Sequence, residues 1–183
     1  MNNKTKKNKI YTKEDFNSSE GMLTAVWGPA MWHFLHTMSF NYPVNPTKEE
    51  KNNYMNFVKN LVFVLPCKYC RMNLKENFKQ KPLNIDKMKS RDSFSRYIYD
   101  LHEHVNKMLK KKSGLTYEDV QERYEHFRAR CLANQPQPKE SKGCTEPLFG
   151  KKSKCLIQIV PIDNNKPTFA INKQCIRTRK YKK

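Results

Sequence analysis

Two cysteines separated by two residues, Cys67 and Cys70, are the side chains in this sequence best suited to chemistry. They directly follow Pro66, at the junction between two helical patterns. Sulfurs at this spacing can close a small ring between adjacent turns, so the disulfide forms and reopens easily. A helix N-terminus also lowers the pKa of a thiol that lies on it. We therefore expect the pair to be a redox centre rather than a structural cross-link.

The residues alone leave two interpretations of this pair open, a catalytic redox site and a metal site. A thioredoxin-like site is disfavoured, because there the motif follows a strand in an α/β chain, whereas here it follows an apolar helical pattern. A zinc site needs four ligands, but the predicted core offers no second close pair of cysteines, and its only other cysteine is Cys131. A lone Cys-x-x-Cys is therefore compatible with catalysis or with metal. The five glycines form no Gly-x-Gly-x-x-Gly, which excludes a Rossmann dinucleotide site.

Helical patterns surround the pair on both sides, with apolar residues recurring every three or four positions. We predict a first helix from Trp27 to Asn41, a second from Thr47 to Pro66, a third from Cys67 to Gln80, a fourth from Ser90 to Ser113 and a short fifth from Thr116. Pro29 is expected in the first turn of the first helix, where proline is tolerated. The residues expected to face inward are Trp32, Leu35, His36, Ser39, Tyr54, Phe57, Val58, Leu61, Val62, Met72, Leu74 or Phe78, Phe94, Tyr97, Ile98, Leu101, Val105, Met108, Leu109, Val120, Tyr124 and Phe127.

These elements predict an all-α fold, a four-helix bundle with a short fifth helix, over residues 21–135. Residues 1–20 are polar and rich in Lys and Asn, so we predict a disordered basic segment. A proline-rich linker leads into a C-terminal extension, residues 136–183. Within it, residues 155–160 and 167–171 are predicted to be two strands that can pair as a hairpin.

The net charge of +19 is unevenly spread, since residues 136–183 carry 12 Lys/Arg against 3 Asp/Glu. This basic extension either solubilises the chain or attracts nucleic acid, an anionic membrane surface or an acidic partner. We expect no transmembrane segment, because the strongest apolar run is far too short to span a bilayer. No secretory signal is visible, so a cytoplasmic location is expected. In that compartment six cysteines favour catalysis or metal binding over structural disulfides.

Four motifs occur in order between residues 27 and 131. They are Trp27-Gly28-Pro29-Ala30-Met31-Trp32-His33-Phe34-Leu35-His36, Tyr42-Pro43, Pro66-Cys67-Lys68-Tyr69-Cys70 and Leu101-His102-Glu103-His104-Val105-Asn106. In order and spacing they resemble the Erv/ALR family of FAD-linked sulfhydryl oxidases, over roughly the whole family domain. That family has a Trp-x-x-x-His in its first helix, a Tyr-Pro at the end of that helix, a Pro-Cys-x-x-Cys and a His-Asn-x-Val-Asn in its fourth helix.

The resemblance implies a role for each matching position near the dithiol. Cys70 matches the cysteine nearer the isoalloxazine ring of FAD, and Cys67 matches the partner that exchanges with substrate. Trp32 and His36 match first-helix residues that contact the flavin. Tyr42 matches the tyrosine that closes the site.

The fourth and fifth helices would hold the rest of the cofactor. His102 and Asn106 match the residues at the adenine end, and they share one helical face. Lys111, or one of the lysines on either side of it, would meet the pyrophosphate. Tyr124 stands where the family has a tryptophan. From the residues alone, His33, His104 and His126 receive no role.

The implied activity is the oxidation of protein thiols to disulfides, with dioxygen as the final electron acceptor and hydrogen peroxide as the product. The short bundle and the Lys/Asn richness look like the oxidases of large cytoplasmic DNA viruses, which implies host cytoplasm or the virion as the location. We also expect a homodimer. The rival interpretation is a non-enzymatic zinc or nucleic-acid-binding module that uses the cysteines and the basic extension.

The sequence departs from the family pattern at two positions. Glu103 stands where the family usually has asparagine. The family also joins two cysteines with sixteen residues between them at one end of the bundle; Cys131 fits the second, but the first would be Gly114. The remaining cysteines, Cys144, Cys155 and Cys175, contain no Cys-x-x-Cys, so we favour a structural disulfide in the extension over an electron shuttle.

Overall fold

The computed structural model describes residues 11–130, 146–147, 153–161, 163–165 and 170–175. The helices in these ranges are α1 (Lys13–Asn17), α2 (Thr24–Phe40), α3 (Lys48–Val64), α4 (Lys68–Gln80), α5 (Arg91–Met108) and α6 (Tyr117–Glu125), with 3-10 turns at Ile85–Met88 and Lys173–Cys175. The all-α bundle with a short last helix is thus confirmed, and α2 to α6 are the five helices predicted. The division at residues 21, 135 and 136 stays a prediction.

Side-chain caps explain why three of the helices begin where the sequence predicts. Thr47, Ser90 and Thr116 each accept a hydrogen bond from the backbone N–H three residues on, and the side chain at that third position accepts one from the backbone N–H of the capping residue. These capping boxes satisfy donors that a helix end would otherwise leave unpaired. The same device at Thr12 starts α1, a short exposed helix that we did not predict. Residues 1–10 lie outside the described residues.

Helix α2 begins three residues before its predicted start, so Pro29 lies inside the helix rather than in its first turn. A proline there cannot donate the usual hydrogen bond to the carbonyl four residues earlier. That carbonyl belongs to Ala25, an exposed residue. The extra turn matters because it brings Thr24 to the start of the helix, close to the cysteine pair.

The main hydrophobic core lies where α2, α3, α4 and α5 meet. Its buried residues are Leu35, Tyr42, Val58, Leu61, Leu74, Leu83, Met88, Phe94, Tyr97, Ile98 and Leu101. A second cluster of Phe40, Tyr117 and Val120 fixes α6 against α2 and α5. Helix α2 contributes to both clusters, through Leu35 to the main core and through Phe40 to the second.

Four residues predicted to face inward are exposed: Phe57, Met72, Met108 and Leu109. Phe57 belongs to the outer edge of the apolar stripe of α3, and it meets the exposed Phe34 edge to face at 6.0 Å. Met108 and Leu109 lie at the C-terminal end of α5, beyond the residues that the bundle covers. The apolar periodicity of a helix correctly indicates which face is buried. It does not indicate how much of that face the neighbouring helices cover.

The described part of the C-terminal extension contains no strand at residues 155–160, where one was predicted, and their side chains are largely exposed. Most of the second predicted strand lies outside the described residues. The observed pairing is a short antiparallel one between Ala129–Arg130 and Glu146–Pro147. Without a covering layer, an apolar stretch such as 155–160 gains little from adopting a strand. As for membranes, none of the helices in the described ranges is long and apolar enough to cross one.

Candidate active site

The cysteine pair forms a disulfide at the N-terminus of α4. Cys67 and Cys70 are bonded, with 5.2 Å between their Cα atoms. Cys67 is the N-cap of the helix, and its Sγ accepts a hydrogen bond of 3.1 Å from the Cys70 backbone N–H. A sulfur in this position faces the positive end of the helix, which favours the thiolate when the disulfide opens. Both cysteines are half-buried, so at least part of the pair is open to reagents.

Two hydrogen bonds to the Leu65 carbonyl hold the loop that carries Cys67. The Arg71 guanidinium donates to the Leu65 carbonyl at 2.5 Å, and the Cys67 backbone N–H donates to the same carbonyl at 2.8 Å. These bonds fix the turn around Pro66 without using either sulfur. The sulfurs are therefore presented by a rigid loop, as a redox pair requires.

Residues 21–24, which we call the N-terminal strap, lie against the other side of this loop. The Met22 backbone N–H donates to the Pro66 carbonyl at 2.8 Å. A Cβ atom at Gly21 would lie 2.6 Å from the Pro66 carbonyl oxygen and 2.8 Å from the Cys67 Cα, so only glycine allows this approach. The Trp27 indole N–H donates to the Met22 carbonyl at 3.0 Å and ties the strap back to α2.

Aromatic and imidazole rings from α2, α5 and α6 pack together farther along α2, in what we call the ring cluster. The rings of Trp32 and His102 stack face to face, with centroids 4.0 Å apart and planes 7° apart. His36 Nε2 and His102 Nδ1 are joined by a hydrogen bond of 2.9 Å. Tyr124 lies 5.3 Å from the His36 ring and 5.3 Å from the Phe40 ring. Four of the residues predicted to bind cofactor, Trp32, His36, His102 and Tyr124, are thus brought together.

His36 is the most buried polar member of this cluster. Only 3% of its surface is exposed, and its Nδ1 is buried with no hydrogen-bond partner among the described residues. Burial, with smaller contributions from the nearby His102 and His33 rings, lowers the pKa of His36 to about 3. Burial also lowers the pKa of His102 to about 4, with Glu103 opposing the shift and Lys111 adding to it. Both rings are therefore neutral at physiological pH.

His33 belongs to the cluster as well, although sequence reasoning gave it no role. Its Nδ1 is 3.2 Å from the Tyr124 hydroxyl, and its ring contacts Phe127 edge to face at 5.8 Å. Burial lowers the pKa of His33 and raises that of Tyr124. The signal was present in the sequence, since His33, His36 and Phe40 recur at helical spacing on α2.

The C-terminal end of α5 positions Asn106 and the neighbouring lysines. The Asn106 side-chain amide donates to the Glu103 carboxylate at 2.9 Å. Glu103, which departs from the family pattern, therefore occupies one of the N–H donors of Asn106. Beyond the helix, Lys110 adopts a φ of +56°, and the Lys111 backbone N–H donates to the Asn106 carbonyl at 2.8 Å. This is a Schellman turn, which usually has glycine at the left-handed position. It folds Lys111 back towards His102, whose pKa responds to the lysine charge.

Tyr42 is the one predicted cofactor residue that the structure places elsewhere. It is fully buried, and its hydroxyl donates to the Met88 carbonyl at 3.0 Å. Its ring packs against Tyr54 and Phe94, at centroid distances of 4.8 and 4.9 Å. These contacts fill the main core, and the described contacts of the ring include none with the His36 cluster. These contacts give Tyr42 a structural role in the main core, and its role in closing the site stays a prediction.

Helix α2 links the cysteine pair to the ring cluster. Thr24, at its first turn, has its Oγ1 3.5 Å from Cys70 Sγ, and Trp32 and His36 follow on the same helix. Thr24 and Trp32 are separated by eight residues, or about 12 Å along the axis. Cys70, rather than Cys67, is the cysteine whose sulfur meets this helix. An elongated cofactor along α2 would therefore reach both the rings and the Cys70 side of the disulfide.

The low pKa values of His36 and His102 predict a pH-dependent stability. In the unfolded chain both rings protonate near pH 6.5, whereas the folded protein keeps them neutral down to about pH 4. The unfolded state thus binds more protons in this window, and the free energy of unfolding falls as the pH is lowered through it. Each histidine contributes up to about 1.4 kcal/mol per pH unit.

Urea denaturation at several pH values measures this slope. The double variant His36→Gln/His102→Gln should show a flatter profile than the native chain. His104→Gln is the matched control, because His104 lies on the same helix and is not among the rings of the cluster. An equally steep profile in the double variant would show that other groups cause the pH dependence.

A helical bundle that carries a disulfide at a helix N-terminus beside a buried aromatic cluster defines a class of redox protein. Comparison with known proteins identifies the family. The family model of the Erv1/Alr family matches residues 29–141. The chain therefore belongs to the Erv1/Alr family.

Two viral relatives and one solved structure illustrate the similarity. A probable FAD-linked sulfhydryl oxidase of Acanthamoeba polyphaga mimivirus is 36% identical over 99 residues, which cover 54% of this chain and 68% of that protein. The FAD-linked sulfhydryl oxidase of African swine fever virus is 29% identical over 98 residues, covering 52% of this chain and 80% of that protein. The crystal structure of the yeast Erv1 core superposes with a TM-score of 0.51 at 22% identity, covering 66% of this chain and 95% of that one, and supports the fold.

Proposed function

We propose that this chain is an FAD-dependent sulfhydryl oxidase that forms disulfides in protein substrates and delivers the electrons to dioxygen, yielding hydrogen peroxide. The observation that carries the proposal is the Cys67–Cys70 disulfide at the start of α4, with Cys70 against the helix that bears Trp32 and His36. The names of the viral relatives support the same activity.

The residues of the ring cluster fit FAD. The stacked Trp32 and His102 rings are aromatic groups of the kind against which a cofactor ring can pack, and the unpartnered Nδ1 of His36 can meet a polar atom of a buried cofactor. Tyr124 closes the cluster from α6, in the place of the family tryptophan. Asn106 and Lys111 would hold the adenine and pyrophosphate end. When bound, FAD supplies two-electron chemistry, accepting electrons from a dithiol and returning them to dioxygen.

The cysteines divide the thiol chemistry between them. A substrate thiolate attacks Cys67 Sγ, the sulfur–sulfur bond breaks, and Cys70 leaves as a thiolate. A second substrate thiol then resolves the mixed disulfide, releasing oxidised substrate and leaving both cysteines reduced. The N-terminus of α4 stabilises Cys67 when it is released in turn. Cys70 faces α2 and is therefore the cysteine that we assign to the cofactor side.

A zinc module is not favoured. In the described part of the chain, no group of three or more His, Cys, Asp or Glu side chains could hold a metal ion. Cys67 and Cys70 are bonded to each other, and a disulfide sulfur is not the thiolate that zinc requires. Purified protein that is yellow, shows a flavin spectrum and consumes dioxygen with dithiothreitol supports the oxidase. Colourless protein that contains stoichiometric zinc would refute it.

Retention of FAD should depend on α5. We expect His102→Ala and Asn106→Ala each to weaken FAD binding by about 1–3 kcal/mol, because polar groups of the bound cofactor lose their partners. The flavin-to-protein ratio after dialysis measures the effect, and His104→Ala on the same helix is the control. Unchanged flavin content in both variants would show that α5 does not hold the adenine.

The location and assembly of the protein are also part of the proposal. Relatives from large DNA viruses support the cytoplasm of an infected cell, or the virion, as the site of action. The exposed pair Phe34 and Phe57 lies on α2 and α3, and it supports a homodimer that covers this face. Light scattering of the native chain and of Phe57→Asp tests the dimer, which only the native chain should form.

The C-terminal extension should be separable from the chemistry. A chain that ends at Gln135 keeps the bundle and loses 12 Lys/Arg against 3 Asp/Glu. We expect it to bind FAD and to oxidise dithiothreitol at the native rate. Its rate of thiol oxidation should fall only when the substrate is an acidic protein or is bound to an anionic surface. That difference should shrink as salt rises, because exposed charges are screened. A truncated chain without flavin would show that the extension belongs to the fold.

Two cysteines of the extension are free thiols, Cys155 exposed and Cys175 half-buried. Neither of them forms the structural disulfide expected in the extension, and Cys144 has no other cysteine within the extension to pair with. Cys131 and Cys144 lie outside the described residues. The same truncation also tests an electron shuttle, since loss of a relay would slow protein oxidation at every salt concentration.

A further inference from the structure

The hydroxyl of Thr24 is the side-chain group that the N-terminal strap brings to the redox pair. Its Oγ1 is 3.5 Å from Cys70 Sγ, a distance within hydrogen-bond range for sulfur. A disulfide sulfur carries no proton, so Thr24 must be the donor. The strap holds this residue through the Met22–Pro66 hydrogen bond and the Trp27–Met22 hydrogen bond on either side.

The side chain of Thr24 has few available orientations, because a β-branched side chain is stiff about χ1. A Cβ at Gly28, one turn along α2, would lie 3.4 Å from Thr24 Cγ2, so glycine at position 28 leaves room for the threonine methyl. Thr24 does not serve as the helix cap, because Leu23 is the N-cap of α2 and makes no side-chain hydrogen bond. Within the described residues, the hydrogen bond that Thr24 makes through its side chain is the one to Cys70.

We propose that Thr24 stabilises the Cys70 thiolate and thereby promotes the opening of the disulfide by substrate. This inference rests on the proposed function, in which Cys67 is attacked and Cys70 is the leaving group. A weak hydrogen bond to the disulfide becomes a charge-assisted one when the sulfur gains a negative charge, and such bonds are roughly twice as strong. Thr24 thus favours the state that forms during the reaction over the state that precedes it.

The step balances with the substrate dithiol as reductant. One substrate thiolate forms a bond to Cys67 Sγ, and the electron pair of the broken sulfur–sulfur bond goes to Cys70 Sγ. Thr24 keeps its proton and donates a hydrogen bond to the new thiolate. The second substrate thiol, after losing its proton to solvent, displaces Cys67, so the substrate is oxidised by two electrons and the protein pair is reduced by two.

The test measures how the alkylation of Cys70 depends on pH in the full chain. Cys67→Ser leaves Cys70 as a single thiol, and peptide mass spectrometry separates its iodoacetamide adduct from those of the other cysteines. In this background, Thr24→Val keeps the shape of the side chain but removes the hydroxyl. We expect the midpoint of Cys70 alkylation to rise by about one pH unit, equivalent to a tenfold loss of thiolate stabilisation. Thr24→Ser restores the hydroxyl and should leave the midpoint at the native value.

The matched control is Cys67 in the Cys70→Ser background, whose midpoint should be the same with threonine or valine at position 24. An unchanged Cys70 midpoint in Thr24→Val would overturn the proposal, as would an equal shift of Cys67, which would indicate a general disturbance of the loop. Circular dichroism checks the fold, and Thr24→Ala, which removes the hydroxyl with less bulk, replaces the valine variant if that one unfolds. Alkylation needs no turnover, so the Cys70 midpoints with threonine and with valine at position 24 decide the role of Thr24 even in a protein that lacks flavin. Absence of flavin and of oxidase activity would instead refute the proposed function.

Discussion

Cys70→Ser is expected to abolish oxygen consumption with a dithiol substrate while the protein still binds FAD. Without Cys70 no intramolecular disulfide can form, so Cys67 has no partner through which the electrons of the substrate can pass on to the cofactor. The ring cluster of Trp32, His36 and His102 is held together by stacking and by a hydrogen bond between its own members, so cofactor retention should be unaffected. Oxygen-electrode rates and the flavin spectrum of the same sample measure the two outcomes.

Cys155→Ser is the matched control for this variant, because Cys155 is an exposed free thiol outside the bundle. It should consume dioxygen with dithiothreitol at the native rate. Near-native turnover in Cys70→Ser would remove the basis for assigning the disulfide to catalysis. Loss of flavin in that variant would instead show that Cys70 is needed to build the cofactor site.

Cys67→Ser should stop turnover equally, but with a different spectrum. It leaves Cys70 as a free thiolate beside α2, with Thr24 at hydrogen-bond distance. A thiolate close to oxidised flavin donates electron density and produces a long-wavelength absorption band. We expect this band in Cys67→Ser and not in Cys70→Ser. The opposite result would show that the two cysteines have exchanged roles, whereas a band in neither would place both sulfurs away from the flavin.

Local signals in the sequence were sufficient for most of the fold. Thr47 and Thr116 start helices through capping boxes whose partners are three residues away, so the information lies in one short segment. Pro29 shows the limit of such signals, because the bundle stabilises α2 beyond the point at which a proline normally begins a helix. Phe57 was misplaced because a helical stripe does not reveal how far the neighbouring helices extend over it.

The site was harder to predict wherever it depends on distant partners. His33 joins the cluster through Tyr124, and the Tyr42 hydroxyl donates to the Met88 carbonyl; both partners are far along the chain. The approach of Gly21 to Pro66 likewise joins segments that no local pattern connects. The cysteines themselves were predictable, since their spacing and the preceding proline carry the chemistry within one turn.

The backbone at Gly114 bears on any attempt to cross-link the end of the bundle. Its φ is +66°, a conformation that side chains other than glycine adopt at a cost of roughly 1–2 kcal/mol, although a Cβ there would meet no atom within 4 Å. Introducing the cysteine that the family has at this point would therefore fill open space yet strain the chain. The backbone strain would therefore offset part of the stability that a cross-link at this position adds.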